Sequence, residues 1–177
     1  MNQRRSFLKS SVALASVIAV PGLARAAQPA QGERVLRLYN THTGESLKSV
    51  FWAEGQFIPD ALQDINKLLR DHRNNQVASM DPKLLLLLNE VGNKFGDAQL
   101  HIISGYRSPE SNAKLAANGN GVAKHSMHMD GKAIDIRMPG KNLVHVHKAA
   151  LAARGGGVGY YADSQFVHMD TGRLRSW

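Results

Sequence analysis

The 177-residue chain is predicted to be an α+β protein in which helices flank a small antiparallel sheet. Two observations favour this class. After an N-terminal hairpin, helical patterns dominate residues 60–117, and short strands joined by tight turns come later. The chain is long enough to bury one hydrophobic core and shows no internal repeat, so we expect a single domain.

The first 26 residues have the order of an export signal. Arg4 and Arg5 form a charged start, residues 10–20 are mostly apolar, and Ala24-Arg25-Ala26 is a small-residue cleavage signal. The spelling RRSFLK resembles a twin-arginine signal, which a receptor reads and which anchors nothing. We therefore expect cleavage after Ala26, a periplasmic protein, a flexible leader at 27–33 and a folded domain at 34–177.

Composition narrows the possible partners. The net charge is +8, but four basic residues and no acid lie in the signal, which leaves +4 for the mature chain. That charge fits an acidic polymer such as a cell wall, and it fits many soluble proteins equally well. Only 6% of residues are aromatic and no basic cluster is interleaved with them, so we expect no nucleic-acid partner. The absence of cysteine excludes a lipoprotein anchor and disulfides. We expect a monomer without a stable membrane anchor.

The domain is predicted to begin with a hairpin. Val35–Tyr39 and Leu47–Phe51 have strand composition and flank a polar turn. Leucine and isoleucine then recur at helical spacing over residues 60–72. Two further helices are predicted where an N-cap residue precedes proline: from Asp81-Pro82 to Val91 and from Ser108-Pro109 to Ala117. The remaining elements are a strand at Gln99–Ser104, a loop at 118–121, a helix at Lys141–Arg154, and strands at Val158–Tyr161 and Phe166–Asp170.

The stretch AKHSMHMDGKAIDI, residues 123–136, places two histidines and two aspartates around one glycine. Asp130-Gly131 is typical of a two-residue type I′ turn, which would pair the strands on either side of it. In that register Ser126, His128 and Asp135 lie on one face of the sheet. His128 and Asp135 become diagonal neighbours, roughly 7–8 Å apart at the backbone, so their side chains can share one ion.

A second polar pair stands near the C-terminus. Strand alternation places His168 and Asp170 on one face, together with Phe166. His168 could complete a set of two imidazoles and one carboxylate, and three such ligands with one position left for water are typical of catalytic zinc. From spacing alone, the three residues could also be ordinary core or surface side chains.

The spelling of these segments resembles a known family. Residues 126–135 match S-x-H-x-x-G-x-A-x-D, the motif of the D-Ala-D-Ala metallopeptidases and their LAS relatives, which include the hedgehog zinc domain. Ser104-Gly105-Tyr106-Arg107-Ser108 is similar to the family's S-G-Y-R-S element, and residues 166–168 to its third-ligand strand. Within the family the chain looks most like the murein endopeptidases, from about Leu36 to Trp177.

The resemblance implies a hedgehog/D-Ala-D-Ala-peptidase-like fold and a zinc metallopeptidase domain at 34–177. It implies that Zn²⁺ is held by His128, Asp135 and His168, and that a zinc-bound water attacks a peptide bond in a peptidoglycan cross-link. Arg107 matches the arginine that binds or polarises the substrate's carbonyl or carboxylate. Ser126 matches the motif serine and is expected to form hydrogen bonds behind the ligands.

One departure from the family concerns the general base. Many members have a glutamate three residues before the last histidine, where this chain has Gln165; others have a histidine two before it, where this chain has Phe166. We expect Asp170 to take over, either accepting the proton of water or orienting His168. A third alternative makes Asp170 the ligand and His168 the base.

Two other functions remain open at this point. Gln165 allows a non-catalytic zinc or wall-binding module, and a D,D- or L,D-carboxypeptidase that trims stem peptides would share the same ligands. Several side chains have two interpretations each. His125 and Lys124 either line the cleft or belong to a solvated loop, Tyr160 and Tyr161 either form a substrate wall or pack in the core, and Arg173 and Arg175 either meet an anionic substrate or are surface charge.

Overall fold

The computed structural model describes residues 32–118 and 123–177. One sheet contains eight strands in the order β3-β2-β1-β4-β5-β7-β6-β8. The strands are β1 Arg34–Asn40, β2 Ser46–Ala53, β3 Gln56–Phe57, β4 Leu100–Ser104, β5 Ala133–Arg137, β6 Gly157–Tyr161, β7 Phe166–Asp170 and β8 Arg175–Ser176. The helices in these ranges are α1 Pro59–Leu68, α2 Pro82–Asn93, α3 Pro109–Ala117 and α4 Leu143–Ala153. The predicted export signal, residues 27–31 of the predicted leader and residues 119–121 of the predicted loop lie outside the described residues.

The sheet is larger than predicted and its strand directions are mixed. Most neighbours are antiparallel, but β1 pairs with β4 in parallel and β6 pairs with β8 in parallel. The mixture of helices with a largely antiparallel sheet is compatible with the α+β class, but a sheet of eight strands with two parallel pairings differs from the small antiparallel sheet predicted. Turn residues in the sequence indicate only which strands that are neighbours along the chain pair with each other. Helices α1 and α2 lie between β1 and β4 in the chain, so no local pattern predicts the pairing of these two strands.

The helix starts agree with the predicted caps. The Asp81 carboxylate accepts a hydrogen bond from the Lys83 N–H at the start of α2, and the Ser108 hydroxyl accepts one from Ser111 at the start of α3. Each cap of this kind contributes about 1 kcal/mol. Helix α1 ends at Leu68, earlier than the predicted His72, because the chain then folds into a turn in which the Asn75 N–H donates to the Asp71 carbonyl.

The core lies between the sheet and three of its helices. Helix α1 packs on β2, α2 packs on β1 and α4, and α4 also packs on β6 and β7. Leu84, Leu85 and Leu88 of α2 are fully buried, as the dense leucine run predicted. Burying each leucine contributes about 2 kcal/mol. The central strand β5 is paired on one side with β4 and on the other with β7, against which α4 packs, and β5 and β7 carry the polar residues of interest.

Strand alternation separates core from site on the central strands. Ile134 and Ile136 of β5 are completely buried. Asp135 lies between them on the opposite face and stands directly across from His168 of β7. The antiparallel β5–β7 pairing, which joins segments more than thirty residues apart, therefore brings a carboxylate and an imidazole together.

Among the described helices, each is too short or too polar to cross a membrane.

Candidate metal centre

The segment before β5 is not the predicted hairpin strand. Met127–Asp130 form a 3₁₀ helix, and the Ser126 hydroxyl accepts a hydrogen bond from the His128 N–H at 3.4 Å. Gly131 ends this helix in the left-handed conformation, with φ of 65°. A type I′ turn would require positive φ at Asp130 as well, and only Gly131 has it. One left-handed glycine closes the 3₁₀ turn, so the predicted type I′ turn and the strand at 126–129 are wrong.

His128 and Asp135 nevertheless meet. The Nε2 atom of His128 lies 3.4 Å from one Asp135 oxygen, and Nδ1 of His168 lies 2.8 Å from the other. One donor atom from each of the three residues lies within 4.8 Å of the other two. His128 and Asp135 are buried, and 12% of the His168 side chain is exposed. These two nitrogens and one carboxylate are donors that fit a divalent metal such as zinc.

Each imidazole is oriented through its far nitrogen. Nδ1 of His128 lies 2.7 Å from the Gly105 carbonyl oxygen, which can only accept, so Nδ1 carries a hydrogen, and Nε2 faces Asp135. Nε2 of His168 donates to Asp170 at 3.1 Å, and Nδ1 faces Asp135. Hydrogen bonding of the far nitrogen to an acceptor is the usual arrangement of metal-binding histidines.

The Gly105 carbonyl can lie within hydrogen-bond distance of His128 only because residue 105 has no side chain. A Cβ atom there would lie 2.5 Å from the Leu69 carbonyl oxygen. The following residue, Tyr106, donates its N–H to the same carbonyl at 2.8 Å. The chain after β4 is thus pressed against the end of α1, which fixes the carbonyl that orients His128.

The charges in this cluster reinforce one another. Burial by itself raises the pKa of Asp135, but His128 and His168 hold that pKa well below its usual range. Burial by itself lowers the pKa of His168, and its hydrogen bonds to Asp135 and Asp170 overcome this effect and raise the pKa to about 8. A cation that binds here must therefore displace the proton between His168 and Asp135, so metal affinity should increase with pH.

The Asp170 carboxylate is buried and fully engaged. It accepts hydrogen bonds from the backbone N–H groups of Gly157 at 3.0 Å and Gly172 at 2.8 Å. The Arg175 guanidinium binds both of its oxygens, at 3.1 and 2.6 Å, and His168 donates to it as well. Burial raises the pKa of Asp170, yet these hydrogen bonds hold it below its usual range. Arg175 is thus paired with a buried acid, and the interpretation of it as plain surface charge is wrong.

Arg107 is buried beside the cluster, and its guanidinium has a hydrogen-bond donor that no described residue uses. Its backbone N–H donates to the His128 carbonyl at 3.1 Å. Its guanidinium reaches Asn112 and Ser104 through long hydrogen bonds, both 3.4 Å. Its Nε atom is buried and has no hydrogen-bond partner among the described residues. A cation held in this state can bind an oxygen atom of an incoming molecule.

Asp71 supports the loop that carries Arg107, a role that sequence reasoning missed. Its completely buried carboxylate accepts hydrogen bonds from the N–H and hydroxyl of Ser108, at 2.9 and 2.8 Å, and from the N–H of Arg73 at 3.0 Å. Burial by itself raises the pKa of Asp71, but hydrogen bonds from neighbouring hydroxyl and N–H groups lower it to about 2. The D-H-R spelling at 71–73 offers no pattern that would have indicated this contact.

A cavity of about 530 Å³ opens onto the three convergent side chains. Arg107, Ala123 and residues 125–128 contribute one group of lining residues, which includes the exposed His125. Strands β6 and β7 and the chain end contribute another group, which includes Tyr161, Phe166 and Trp177. His125 and Tyr161 therefore line the cleft, which was one of the two interpretations of each residue. Lys124 lines a different surface pocket next to α3.

Gln165 lies outside this cavity lining. It occupies the exposed turn between β6 and β7, with φ of 55°. Its side-chain amide donates to the Ala162 carbonyl within the same turn. The neighbouring Phe166 does line the cavity. The residue at the family's usual base position is therefore directed into its own turn.

The fold and site together are compatible with a metal-dependent hydrolase. Its features are a buried His–Asp–His set, a buried arginine with free bonding capacity and an open cavity beside both. The family model Peptidase_M15_2, described as "Peptidoglycan L,D-endopeptidase MepK", matches residues 28–177. The chain belongs to this peptidase family, which confirms the resemblance drawn from the motifs.

Curated relatives cover nearly the whole chain. The protein named "Peptidoglycan L,D-endopeptidase MepK" of Escherichia coli (strain K12) is 41% identical over 178 residues, which span 99% of this chain and 97% of that protein. A protein of the same name from Shigella flexneri is similar to the same extent. The "Probable peptidoglycan L,D-endopeptidase MepK" of Haemophilus influenzae is 42% identical over 146 residues, 81% of this chain and 78% of that protein.

We expect Gly131→Ala to destabilise the fold by about 2 kcal/mol or more, measured by urea unfolding. The new Cβ would collide with the Ser79 backbone carbonyl. The alanine would also have to keep the positive φ of Gly131, which is unfavourable for a residue with a side chain. Gly140→Ala is the matched control: it has φ of 72° and open space around it, so it should lose only about 1 kcal/mol. Equal losses in the two variants would show that the contact with Ser79 is unimportant.

We expect Asp71→Asn to lose about 2 kcal/mol of stability at pH 7, because buried donors lose a charged acceptor. The folded-state pKa near 2 lies below the ordinary 3.8, so the contribution is complete above about pH 4 and disappears as pH falls through 2. The free energies of unfolding of the unmodified protein and of Asp71→Asn, measured at several pH values, should become equal in acid. The exposed Asp64→Asn control should match the unmodified protein throughout.

Proposed function

We propose that this peptidase hydrolyses peptide bonds in peptidoglycan cross-links and that Zn²⁺, held by His128, Asp135 and His168, is its cofactor. One observation carries the proposal: three donor atoms converge within 4.8 Å while the far nitrogen of each imidazole is already bonded to an acceptor. Zinc held by two nitrogens and one oxygen would supply an activated water and would polarise the substrate's carbonyl.

We assign Arg107 the binding of the substrate's carbonyl or carboxylate oxygen. Its buried guanidinium has an Nε atom without a partner among the described residues and two long hydrogen bonds that could be exchanged. The backbone bond to His128 and the Asp71 contacts to Ser108 fix the loop that carries it. Ser126 caps the 3₁₀ helix and so positions the backbone of His128.

We assign Asp170 the orientation of His168 rather than proton transfer. Both of its oxygens are occupied by Arg175, His168 and two backbone N–H groups, and its lowered pKa makes it a weak base. It contacts the nitrogen of His168 that faces away from Asp135. The same contact argues against the alternative in which Asp170 is the ligand and His168 the base.

Family membership favours an enzyme over the non-catalytic wall-binding module, because the matched relatives are named endopeptidases. The printed names of the matched relatives, which are endopeptidases, also favour cleavage of internal bonds over a carboxypeptidase. We also infer a hedgehog/D-Ala-D-Ala-peptidase-like fold.

The proposed substrate sets the proposed location. Peptidoglycan lies outside the cytoplasmic membrane, so we propose that the twin-arginine signal at 1–26 exports the protein to the periplasm, where it acts as a monomer without a membrane anchor. A mature charge of +4 supports contact with an acidic wall polymer.

The mature protein incubated with purified wall fragments should release cross-link cleavage products, identified by mass spectrometry. Chelator should stop the reaction and added zinc should restore it. His128→Ala should abolish both zinc binding, measured by elemental analysis, and product formation. Zinc binding without products would support the wall-binding module, and release of single terminal residues would support a carboxypeptidase. Full activity of His128→Ala would contradict the ligand assignment.

We expect Asp170→Asn to weaken zinc affinity and kcat/KM together, each by about 10–100-fold, because it disturbs the partner of a metal-binding histidine. Zinc affinity is measured by competition with a chelating dye. The exposed Asp163→Asn, in the turn between β6 and β7, is the matched control and should leave both quantities unchanged. Loss of kcat with unchanged zinc affinity would instead make Asp170 the base.

A further inference from the structure

Three aromatic residues at one side of the cavity take no part in the chemistry proposed above. Tyr161, Phe166 and Trp177, which we call the aromatic wall, line the same cavity as His128, Asp135 and His168. Trp177 is 49% exposed and Tyr161 is 37% exposed. Large aromatic surfaces left open beside a reactive site are characteristic of binding surfaces.

The aromatic wall is held in one arrangement. The Trp177 indole N–H donates to the Tyr161 hydroxyl at 2.9 Å, and the Tyr161 and Phe166 rings stack with centroids 4.5 Å apart. The backbone of Trp177 accepts a hydrogen bond from Tyr160 at 2.9 Å and donates to Val158 at 3.3 Å. A surface already rigid in the free protein loses little conformational entropy when a ligand binds.

The indole of Trp177 is seated over Gly159 of β6. A Cβ atom at Gly159 would lie 2.7 Å from the indole ring, so only glycine permits this packing. The Arg175 guanidinium lies 4.9 Å from the indole centroid, which adds a cation–π contact. With its N–H bonded to Tyr161, the ring has only apolar surface left to offer to the cavity.

We propose that the aromatic wall binds the aliphatic side chain of the cross-link residue next to the bond that is cut; this rests on the proposed function. The Trp177 and His168 ring centroids are 5.3 Å apart. That distance is less than two residues of extended chain, at about 3.3–3.6 Å each. The group on Trp177 must therefore belong to a residue that adjoins the reacting carbonyl.

The same distance argues against a sugar ring on the wall. In peptidoglycan the sugar is joined to the cross-link residue through several stem residues, which places it about 10 Å or more from the reacting bond. Sugars do stack on aromatic rings, so glycan binding is the natural rival. The two ligands differ in one testable respect, because a cross-linked peptide can be prepared with or without its sugars.

The test uses the zinc-loaded mature protein and two substrates: a defined cross-linked peptide dimer without sugars, and the same dimer attached to its disaccharides. Trp177→Ala should raise KM about tenfold on both substrates, with kcat changed less than about threefold and zinc content unchanged. Trp177→Phe should recover most of the affinity. Leu174→Ala is the matched control, since Leu174 is 56% exposed in the same C-terminal segment and does not line this cavity, and it should leave KM unchanged.

Four outcomes would overturn the proposal. Unchanged KM in Trp177→Ala would remove the binding role, and a KM effect confined to the sugar-bearing substrate would assign the wall to glycan. Loss of zinc with a fall in kcat would make Trp177 a support for His168. If Trp177→Ala does not fold, Tyr161→Ala must raise KM on both substrates, and unchanged KM there overturns the proposal equally. Failure of the unmodified protein to cut either substrate would instead contradict the proposed function itself.

Discussion

The interaction on which the rest of the site depends is the buried carboxylate of Asp135 between two imidazoles. An ionised carboxylate in a protein interior is costly unless it is paired and hydrogen-bonded, and here His128 and His168 supply the pairing from opposite sides, at 3.4 and 2.8 Å. The β5–β7 register fixes one of these contacts and the 3₁₀ helix before β5 fixes the other. The cluster therefore exists only when distant parts of the sheet are assembled.

Support for the cluster extends outward through backbone and charge. Behind His128 stands the Gly105 carbonyl, which is fixed by close packing of the chain against the end of α1. Behind His168 stands Asp170, which Arg175 and two backbone N–H groups hold in place. Both imidazoles are thus oriented by groups that do not face the cavity, and the orienting groups belong to elements fixed by the hydrophobic core. Their precision follows from packing rather than from the ligand residues alone.

Much of this could be predicted from local signals. The helix starts at Asp81 and Ser108 followed from the N-cap and proline, and the first hairpin followed from alternation around a polar turn. The type I′ turn at Asp130-Gly131 was wrong, because a 3₁₀ helix uses the same left-handed glycine. His128 and Asp135 still meet, since either turn reverses the chain over the same few residues. The motif thus predicted the convergence of side chains better than it predicted the backbone that achieves it.

The residue types of the site, their motif spacing and the family follow from residue identity and short-range order, so they could be predicted without a structure. The folded chain was needed to establish which nitrogen of each histidine faces Asp135, that Asp170 is saturated by Arg175, and that Asp71 holds the Arg107 loop. It also brought the C-terminal Trp177 to the cavity, through the parallel pairing of β8 with β6. Such contacts join residues far apart in the chain, and neither periodicity nor local turn chemistry carries information about them.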